Sequence, residues 1–481
     1  MTGPNIIVIS SDQQRWDALG SVSHYVDTPN LDRLAARGTS FPNSYCASPI
    51  CVPSRASMAT GLEVHQTRCW SSAEPYHGQF KSWHHALREA GYRTTSIGKL
   101  HFRSEEDDNG FSEEIMPTHI IGGVGYPFVM LRPEAKKMDG IEDFIDSVGW
   151  GTSNYTLHDE TVADTTARWL TEHGDEHPWA LFVSFVTPHH PLIVPERFRA
   201  AYPPDRVPLP AVYVAPPGIH PSVTAHPATA ALESNLHYNQ YFRDEAHVRE
   251  QRTYYMALTS FLDECVGKVL DAVERTGHQE DTLIIFTSDH GEMLGDLGLW
   301  TKSQMHDGSV RVPLIVAGPD FPAGLRSRAV CSHVDIYPTV TQAAGLDPDP
   351  NRPGRALQEA AAVRGADARS VISGYHDYGS VTGSTMLRWG NWKYLYHPGY
   401  APQLFDMAAD PEELCDLIAE GGHEDIAAEC DRELRRHLDP DQASADAFED
   451  QRRRVEELGG REKILSDAEL PAVTPMNLGK T

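Results

Sequence analysis

The sequence has no apolar run that approaches the roughly 20 residues an α-helix needs to cross a bilayer, so we expect no membrane partner. Positive charge is also scarce. The 41 Lys and Arg residues stand against 68 Asp and Glu, which leaves a formal net charge of −27. Because nucleic acids and anionic membranes are polyanions, this deficit argues against both as main partners. A small anionic substrate remains compatible, since a local basic pocket can lie inside an acidic surface.

Cysteine is sparse as well: the seven residues are scattered, and their odd number gives no disulfide framework. The early apolar stretch Ile6–Ile9 is too short for the core of a secretion signal, and no basic segment precedes it. We therefore expect a reduced, cytoplasmic chain. The apolar fraction of 40% over 481 residues is that of a globular protein with a sizeable core, which argues against disorder.

Short runs rich in Val, Ile and Phe alternate with helical patterns along most of the chain. The predicted strands are Ile6–Ile9, Thr94–Gly98, Leu181–Val186, Thr282–Phe286 and Leu314–Ala317. The predicted helices begin at Pro29 and cover Asp159–His173 and Arg249–Thr276. This alternation predicts an α/β domain with a largely parallel sheet covered by helices on both faces. Ligands bind at the carboxyl ends of such strands. Two of these ends are polar, at Ser10–Gln13 and Thr287–His290.

A Pro-, Gly-, Ala- and Arg-rich stretch around residues 350–370 predicts a domain boundary. We assign residues 1–365 to a large domain and 366–481 to a smaller α+β domain with a polar tail. The small domain is predicted to contain a hairpin of Met386–Trp389 and Trp392–Tyr396, a strand at Gln403–Asp406 and a helix at Glu424–His437. The polar tail from Glu449 could reach a neighbouring subunit of a homo-oligomer.

Residues 203–221 contain seven prolines and predict a loop that either lines a substrate pocket or is a surface insertion. Weaker candidates for substrate contact follow it at His237, Tyr238 and Tyr241. His306 is another, although an ordinary loop histidine is the simpler interpretation. We interpret the acidic runs Glu105–Asp108 and Asp410–Glu413 as solvated faces.

The most informative segment is Cys51–Gly61, which has the sequence Cys-Val-Pro-Ser-Arg followed by a helical run that ends in Thr-Gly. A lone cysteine is normally a small buried hydrophobic residue. This long and specific segment, however, resembles the signature of the formylglycine-dependent sulfatase family. In that family a separate formylglycine-generating enzyme recognises the motif and oxidises the cysteine to formylglycine.

The resemblance covers most of the chain, and its segments occur in the family's order. They are Asn5–Asp12, Thr28–Asp32, Gly98–His101, Pro188–Pro191, Thr287–Glu292 with Lys302, and Gln403–Asp406 with Asp410–Glu413. The resemblance implies the alkaline-phosphatase-like α/β sandwich, with a mostly parallel central sheet. It also implies a small C-terminal α+β domain that carries an antiparallel sheet.

The family's chemistry explains these residue types. The sulfur of a sulfate monoester is shielded by negative oxygens, so attack on it needs a strong nucleophile and compensating positive charge. A plain serine would end as another stable ester. In a hydrated aldehyde, one hydroxyl attacks sulfur, and the second then loses its proton, restores the aldehyde and expels sulfate. The resemblance therefore implies that Cys51, as formylglycine, is the nucleophile.

The match to the family also implies one divalent metal, which lowers the pKa of the nucleophilic hydroxyl and neutralises charge. The implied ligands are Asp12, Gln13, Cys51, Asp289 and His290. Most family members have acidic residues at both positions that match Asp12 and Gln13, and often Asn at the position that matches His290. With Gln13 and His290, this site thus has one negative charge fewer than a site with two acidic residues at the first two positions. Ca²⁺, favoured by the family, prefers oxygen ligands, whereas Mn²⁺ or Zn²⁺ accept imidazole readily.

The catalytic residues that the resemblance implies are Cys51, Arg55, Lys99, His101, His189 and Lys302. The arginine orients the nucleophile and offsets anionic charge, and the two lysines hold the sulfate oxygens. His101 takes the proton in the elimination step. His189 protonates the leaving oxygen, with His190 as the alternative. Ser54 begins a helix whose N-terminal dipole favours an anion beside residue 51.

The sequence thus predicts a hydrolase that cleaves a small organic sulfate ester to an alcohol and inorganic sulfate. One alternative is a phosphonate monoester hydrolase or phosphodiesterase of the same superfamily. Gln13 and His290 resemble the metal-site residues of that branch, whereas Lys99 and His101 resemble the pair found in sulfatases. The other is an inactive binding protein on the same fold, against which the intact set of polar residues argues. The alcohol part of the substrate stays open, since pocket walls come from variable loops.

Overall fold

The structure is a computed structural model that describes residues 3–134, 145–210, 242–365 and 367–467. The strands in these ranges are β1 Asn5–Asp12, β2 Thr39–Ser40, β3 Asn43–Tyr45, β4 Arg93–Lys99, β5 Glu113–Thr118, β6 Val148–Trp150, β7 Trp179–Pro188, β8 Leu192–Val194, β9 Thr282–Ser288, β10 Leu314–Ala317, β11 Leu325–Arg326, β12 Val330–Ser332, β13 Ser370–Tyr375, β14 Ser384–Trp389, β15 Trp392–Tyr396 and β16 Gln403–Asp406.

The α-helices with described bounds are α1 Pro29–Arg37, α2 Cys51–Thr60, α3 Val64–Thr67, α4 Trp83–Glu89, α5 Asn154–His173, α6 Glu245–Arg275, α7 Asp307–Val310, α8 Ile336–Ala343, α9 Leu357–Ala362, α10 Leu417–Glu420, α11 Glu424–His437, α12 Pro440–Glu457 and α13 Arg461–Asp467. Short 3₁₀ segments lie at Ile121–Gly123, Pro127–Glu134, Glu196–Ala201, Gln279–Asp281, Asp296–Gly298 and His333–Asp335.

The large sheet has eight strands in the order β11-β2-β10-β9-β1-β7-β4-β5. The strands from β9 to β5 are parallel, and the antiparallel strand β10 joins β9 to the short β2. Every residue of β1, β7 and β9 is buried, as expected for a parallel sheet with helices on both faces. The prediction of an α/β fold with a mostly parallel sheet is confirmed.

Alternate residues of β1 belong to two separate cores, because side chains along a strand point to opposite faces. Ile7 and Ile9 pack with α1, α5 and α6 on one face of the sheet. Ile6 and Val8 pack with α2, α4, α8 and α9 on the other face. This double burial fixes the position of β1, and with it the position of the polar residues where the strand ends.

The small sheet is antiparallel and has the order β13-β14-β15-β16. The predicted hairpin turns at Gly390, whose φ of 56° lies in the left-handed region that suits glycine. The strand Gln403–Asp406 and the helix Glu424–His437 occur with the predicted bounds. The edge strand β13 was not predicted. The division into residues 1–365 and 366–481 stays a prediction.

The polar tail is helical where it is described. Asp439 caps α12, with Pro440 at the first helical position, and α13 follows. The helix packs on its own chain, because Trp70 Nε1 and Arg68 Nε donate to Asp450 Oδ2 at 2.9 and 2.6 Å. Whether the tail from Glu449 also contacts a neighbouring subunit stays a prediction, as does a homo-oligomer, and residues 468–481 lie outside the described residues.

Other sequence candidates also lie outside the described residues: the later part of the proline-rich segment, at 211–221, and His237, Tyr238 and Tyr241. All seven cysteines are described, and none forms a disulfide. Across the described ranges, no helix combines the length and apolarity that a membrane span requires.

A buried ion cluster joins the two sheets. Lys393 Nζ on β15 lies 2.8 Å from Asp307 Oδ1 and 2.6 Å from Glu413 Oε1. Glu413 also accepts from the backbone N–H of Asp307 and faces His306 Nδ1 at 3.3 Å. Burial alone would raise the pKa of Glu413, but Lys393 outweighs it and lowers the pKa to about 2. Interpreting Asp410–Glu413 as a solvated face is therefore wrong for Glu413, which is 3% exposed, and His306 faces the small domain.

Replacing Lys393 tests this cluster. Lys393→Met keeps the side-chain length but leaves the buried carboxylate of Glu413 without its lysine and that of Asp307 with Arg311 alone. We therefore expect a loss of about 3–5 kcal/mol in the free energy of unfolding, measured by urea denaturation. Lys463→Met removes an exposed ion pair of α13 and should cost less than about 1 kcal/mol. If both variants lost the same small amount, the cluster would not join the sheets as described.

Candidate active site

Four neighbouring strands of the large sheet end in polar residues at one edge. β1 ends at Asp12, β4 ends at Lys99, β7 is followed by His189, and β9 is followed by Asp289 and His290. Because these strands are parallel, their carboxyl ends lie side by side. The fold therefore brings together segments that are up to 277 residues apart in the chain, as the contact between Ser288 and Ser11 shows.

Cys51 enters this edge as the first residue of α2. Ile50 is the extended residue before the helix, so the prediction that Ser54 begins it is wrong by one turn. Cys51 Sγ lies 3.2 Å from His290 Nε2, 3.3 Å from Lys302 Nζ and 3.8 Å from Asp12 Oδ1. The helix N-terminus favours an anion at this point.

The predicted metal ligands form one compact buried group. Donor atoms of Asp12, Cys51, Asp289 and His290 all lie within 4.8 Å of one another. That spacing fits a single ion in contact with all four, since metal–ligand distances in proteins are about 2.0–2.6 Å. The residues present therefore fit one divalent metal, with two carboxylates and an imidazole as its donors.

Gln13 reaches the same group through a turned backbone. Its φ of 67° is uncommon for a residue other than glycine. Asp289 Oδ1 accepts from Gln13 N at 3.1 Å, and Tyr255 OH donates to Gln13 O at 2.6 Å. These contacts hold the turn, and Gln13 Oε1 lies 2.9 Å from Lys302 Nζ. Strained backbone of this kind is typical of functional sites.

Two buried cations oppose the two carboxylates. Lys99 forms a short ion pair with Asp12. Arg55, one helical turn after Cys51, donates from Nε to Asp289 Oδ2 at 2.8 Å. Burial alone would raise the pKa of Asp12, but Lys99 and the other nearby cationic groups outweigh it and hold the pKa well below its usual value. Burial and Asp12 would raise the pKa of Asp289, but His290, Arg55 and Lys99 outweigh them and lower it. Both carboxylates are thus ionised, as metal binding requires.

The thiol of Cys51 is not activated in this setting. Burial and the charge of Asp12 raise its pKa to about 11, against the opposing effects of Lys302 and Lys99. The thiol is therefore protonated at neutral pH, and only the thiolate is a good nucleophile. The protein side chains alone therefore do not make Cys51 a nucleophile, although a metal in contact with its sulfur would lower the pKa.

Lys302 lies on a tightly held loop. Its neighbours Thr301 and Ser303 have φ values of 63° and 79°, both in the left-handed region. The backbone N–H of Thr301 donates to Glu292, and that of Ser303 donates to Pro49 O at 3.0 Å. The loop is thereby tied both to the segment after β9 and to the segment before Cys51, which places the lysine against residue 51.

The histidines differ in their surroundings. His101 is buried, and neither ring nitrogen has a hydrogen-bond partner among the described residues. Burial and Lys99 lower its pKa well below the usual value, so the ring is neutral. Burial and Lys302 lower the pKa of His189 in the same way, and its Nδ1 lies 2.8 Å from His190 O. Burial lowers the pKa of His190 to about 3, and its side chain bonds Gln251. The choice of His189 rather than His190 as the acid stays a prediction.

Several supporting residues were missed by the sequence analysis. Ser54 Oγ donates to Asp289 O at 2.5 Å and lies 3.0 Å from His333 Nδ1. Ser184 Oγ accepts from Arg55 Nη1 at 2.9 Å. A serine inside the apolar run Leu181–Val186 was a signal that could have indicated a contact of this kind. His333, far away in the sequence, carried no comparable signal.

Comparison with known proteins points to one family. A family model described as Sulfatase matches residues 4–346, and one described as N-sulphoglucosamine sulphohydrolase, C-terminal, matches residues 295–439. Choline-sulfatase of Rhizobium meliloti is 34% identical over 427 residues, which are 86% of this chain and 82% of that protein. Arylsulfatase K of Bos taurus is 28% identical over 478 residues, which are 92% of this chain and 83% of that protein.

Solved structures share the fold. Phosphonate monoester hydrolase of Agrobacterium radiobacter has a TM-score of 0.75 at 25% identity and covers 90% of this chain and 96% of its own. BT4656 in complex with its substrate D-glucosamine-2-N,6-O-disulfate has a TM-score of 0.71 at 21% identity, and covers 93% of this chain and 98% of its own. These likenesses agree with the α/β sandwich that the sequence resemblance implied.

Removing one carboxylate tests the ligand set. Asp289→Ala should abolish the bound divalent metal and activity together, because Asp289 supplies a ligand atom and also holds Arg55. Metal content after dialysis is measured by inductively coupled plasma mass spectrometry, alongside turnover. Asp450→Ala, at a buried aspartate on α12, is the control and should keep the metal. Full metal occupancy in Asp289→Ala would show that the ligand set is wrong.

Proposed function

This chain belongs to the sulfatase family, and we propose that it hydrolyses a small organic sulfate ester through formylglycine made from Cys51 and one divalent metal. Family membership makes it a sulfuric ester hydrolase. The single observation that supports the mechanism best is the packing of Cys51 at a helix N-terminus, within contact of Asp12, His290 and Lys302.

The charges around residue 51 suit an anionic substrate. The charged side chains here are Asp12, Asp289, Glu292, Arg55, Lys99 and Lys302. Their formal charges cancel, with three of each sign. A divalent cation then makes the site positive, so that it attracts a monoanionic ester and stabilises the charge that develops on its oxygens.

Formylglycine hydrate would supply two hydroxyls on one carbon, one to attack sulfur and one to expel sulfate afterwards. The metal, held by Asp12, Gln13, Asp289 and His290 beside residue 51, would lower the pKa of the attacking hydroxyl. Arg55 keeps Asp289 in place from the α2 side. Lys302 lies 3.3 Å from Cys51 Sγ, close enough to hold a sulfate oxygen, and Lys99 adds positive charge at Asp12.

The two histidines have opposite tasks. His101 is neutral, which suits a group that accepts the proton in the elimination step. His189 is neutral in the ligand-free site as well. An anionic substrate in contact with its ring favours the imidazolium, so the proton for the leaving oxygen is taken up together with the ester. His189 then acts as the general acid.

The relatives guide the choice of substrate. The choline-sulfatase and arylsulfatase K names favour small sulfate monoesters with an alkyl or aryl alcohol as the first compounds to test. A second candidate, phosphonate monoester hydrolysis, is favoured by the Agrobacterium radiobacter structure and by Gln13 and His290 at the metal. Lys99 argues against it, because a lysine held at this face obstructs the extra organic substituent on phosphorus.

Modification of Cys51 is directly testable. In protein made together with a formylglycine-generating enzyme, peptide mass spectrometry should show the Cys51 thiol replaced by an aldehyde. Cys46 is also buried but lies outside the motif and in the same tryptic peptide, residues 38–55. Fragment ions that separate the two positions should show that Cys46, the internal control, keeps its sulfur. Fully active protein that carries only an unmodified thiol at Cys51 would contradict the mechanism.

Substrate preference separates the two candidate activities. A panel of sulfate monoesters, phosphonate monoesters and phosphodiesters should give a kcat/KM at least tenfold higher for the best sulfate. This corresponds to about 1.4 kcal/mol of transition-state binding. Cys51→Ala protein, purified in parallel, corrects for contaminating hydrolases. A tenfold preference for the phosphonate or the diester would overturn the argument from Lys99 and favour the one from the metal ligands.

A further inference from the structure

A buried glutamate without a role in the mechanism lies directly behind the metal ligands. Glu292 is 1% exposed. Its Oε2 accepts a hydrogen bond from Gln13 Nε2, and its Oε1 accepts from the backbone N–H groups of Leu294, at 2.9 Å, and of Thr301. One carboxylate therefore binds the end of β1, its own loop and the residue that precedes Lys302.

The bond to Glu292 decides which end of the Gln13 amide faces the site. Because Nε2 donates to the carboxylate, Oε1 turns to the other side and lies 2.9 Å from Lys302 Nζ. The flipped amide would place its NH₂ group against an ammonium group and its oxygen against a carboxylate, two repulsive contacts. Only the oxygen of an amide has a lone pair to offer a metal. The glutamate thus presents the correct atom.

The same carboxylate also limits what position 13 can be. A glutamate there, which has the same length as glutamine, would turn one of its oxygens towards Glu292, and two buried carboxylates in contact repel each other strongly. With an amide at position 13, the contact is a hydrogen bond to a charged acceptor, which is stronger than one between neutral groups. Gln13 and Glu292 are therefore a matched pair. The negative charge is on Glu292, behind the ligand, and the ligand Gln13 itself is neutral.

We propose that Glu292 is a positioning residue that orients Gln13 Oε1 towards the metal and fixes the Lys302 loop against it. This inference rests on the metal site of the proposed function. It assigns a role to a residue that contacts neither the substrate nor the ion. Its consequence is that metal affinity depends on a hydrogen bond made behind the ligand shell, as is typical of residues that orient metal ligands.

Metal affinity of the full-length protein tests this role. Glu292→Gln keeps the size of the side chain, but the backbone N–H groups of Leu294 and Thr301 hold the oxygen of the new amide. Its NH₂ group then faces Gln13, whose own amide has to turn its oxygen away from the metal to accept that hydrogen bond. After removal of bound metal, calorimetric titration with Mn²⁺ should show binding about 10–100-fold weaker than in the wild type. Glu63→Gln changes another buried glutamate, at the start of α3, and should leave the Mn²⁺ affinity unchanged.

A double variant separates positioning from a merely structural role. In Gln13→Glu combined with Glu292→Gln, the carboxylate at position 13 keeps one oxygen for the amide at position 292 and offers the other to the metal. The Mn²⁺ affinity should return to the wild-type value or exceed it. The double variant also carries the test if Glu292→Gln alone does not fold.

The outcomes are distinguishable. Wild-type protein that binds no Mn²⁺ would contradict the metal site, and the inference would fall with it. Wild-type and Glu292→Gln proteins of equal affinity would overturn the inference and leave the metal site in place. Weak binding in Glu292→Gln that the double variant does not restore would likewise overturn positioning and reduce Glu292 to a structural residue.

Discussion

Two carboxylates held side by side at the ends of adjacent parallel strands are the constraint on which this site depends. Ser11 of β1 pairs with Ser288 of β9, so Asp12 and Asp289 follow at the same level of the sheet. Such neighbours repel each other unless cations lie between them. Lys99 and Arg55 supply that charge, and α2 must begin at residue 51 to bring Arg55 there one turn later.

Charge balance links metal binding to substrate binding. The carboxylates and cations at the site cancel formally, so the proposed divalent cation would supply the net positive charge that attracts a sulfate ester. The small domain contributes at a distance. Its Lys393 and Glu413 hold Asp307, at the end of the loop that begins with Lys302. Residues of the small sheet and of the segment after it thus support the loop that carries Lys302.

Local patterns predicted the parts of the protein that depend on local sequence. The apolar runs of β1 and β9 and their polar ends located the sheet edge, and the motif at Cys51 predicted a helix there, although with its start one turn too late. Contacts between distant segments were not predictable in this way. Glu413 was interpreted as a solvated charge, and Glu292 was assigned to the motif after β9 without a role, because only the fold shows that both are buried. Helix α12 was missed because its buried positions are mostly small or polar residues, which give no clear apolar period.

Anomalous diffraction from crystals of the full-length protein soaked in Mn²⁺ tests the central claim most directly. The account predicts one strong peak, about 2.0–2.6 Å from Gln13 Oε1, from a nitrogen of His290 and from an oxygen of each of Asp12 and Asp289. The side chain of residue 51 should contact the same ion. A peak at another place, or one that leaves Gln13 or Asp289 uncoordinated, would contradict the account.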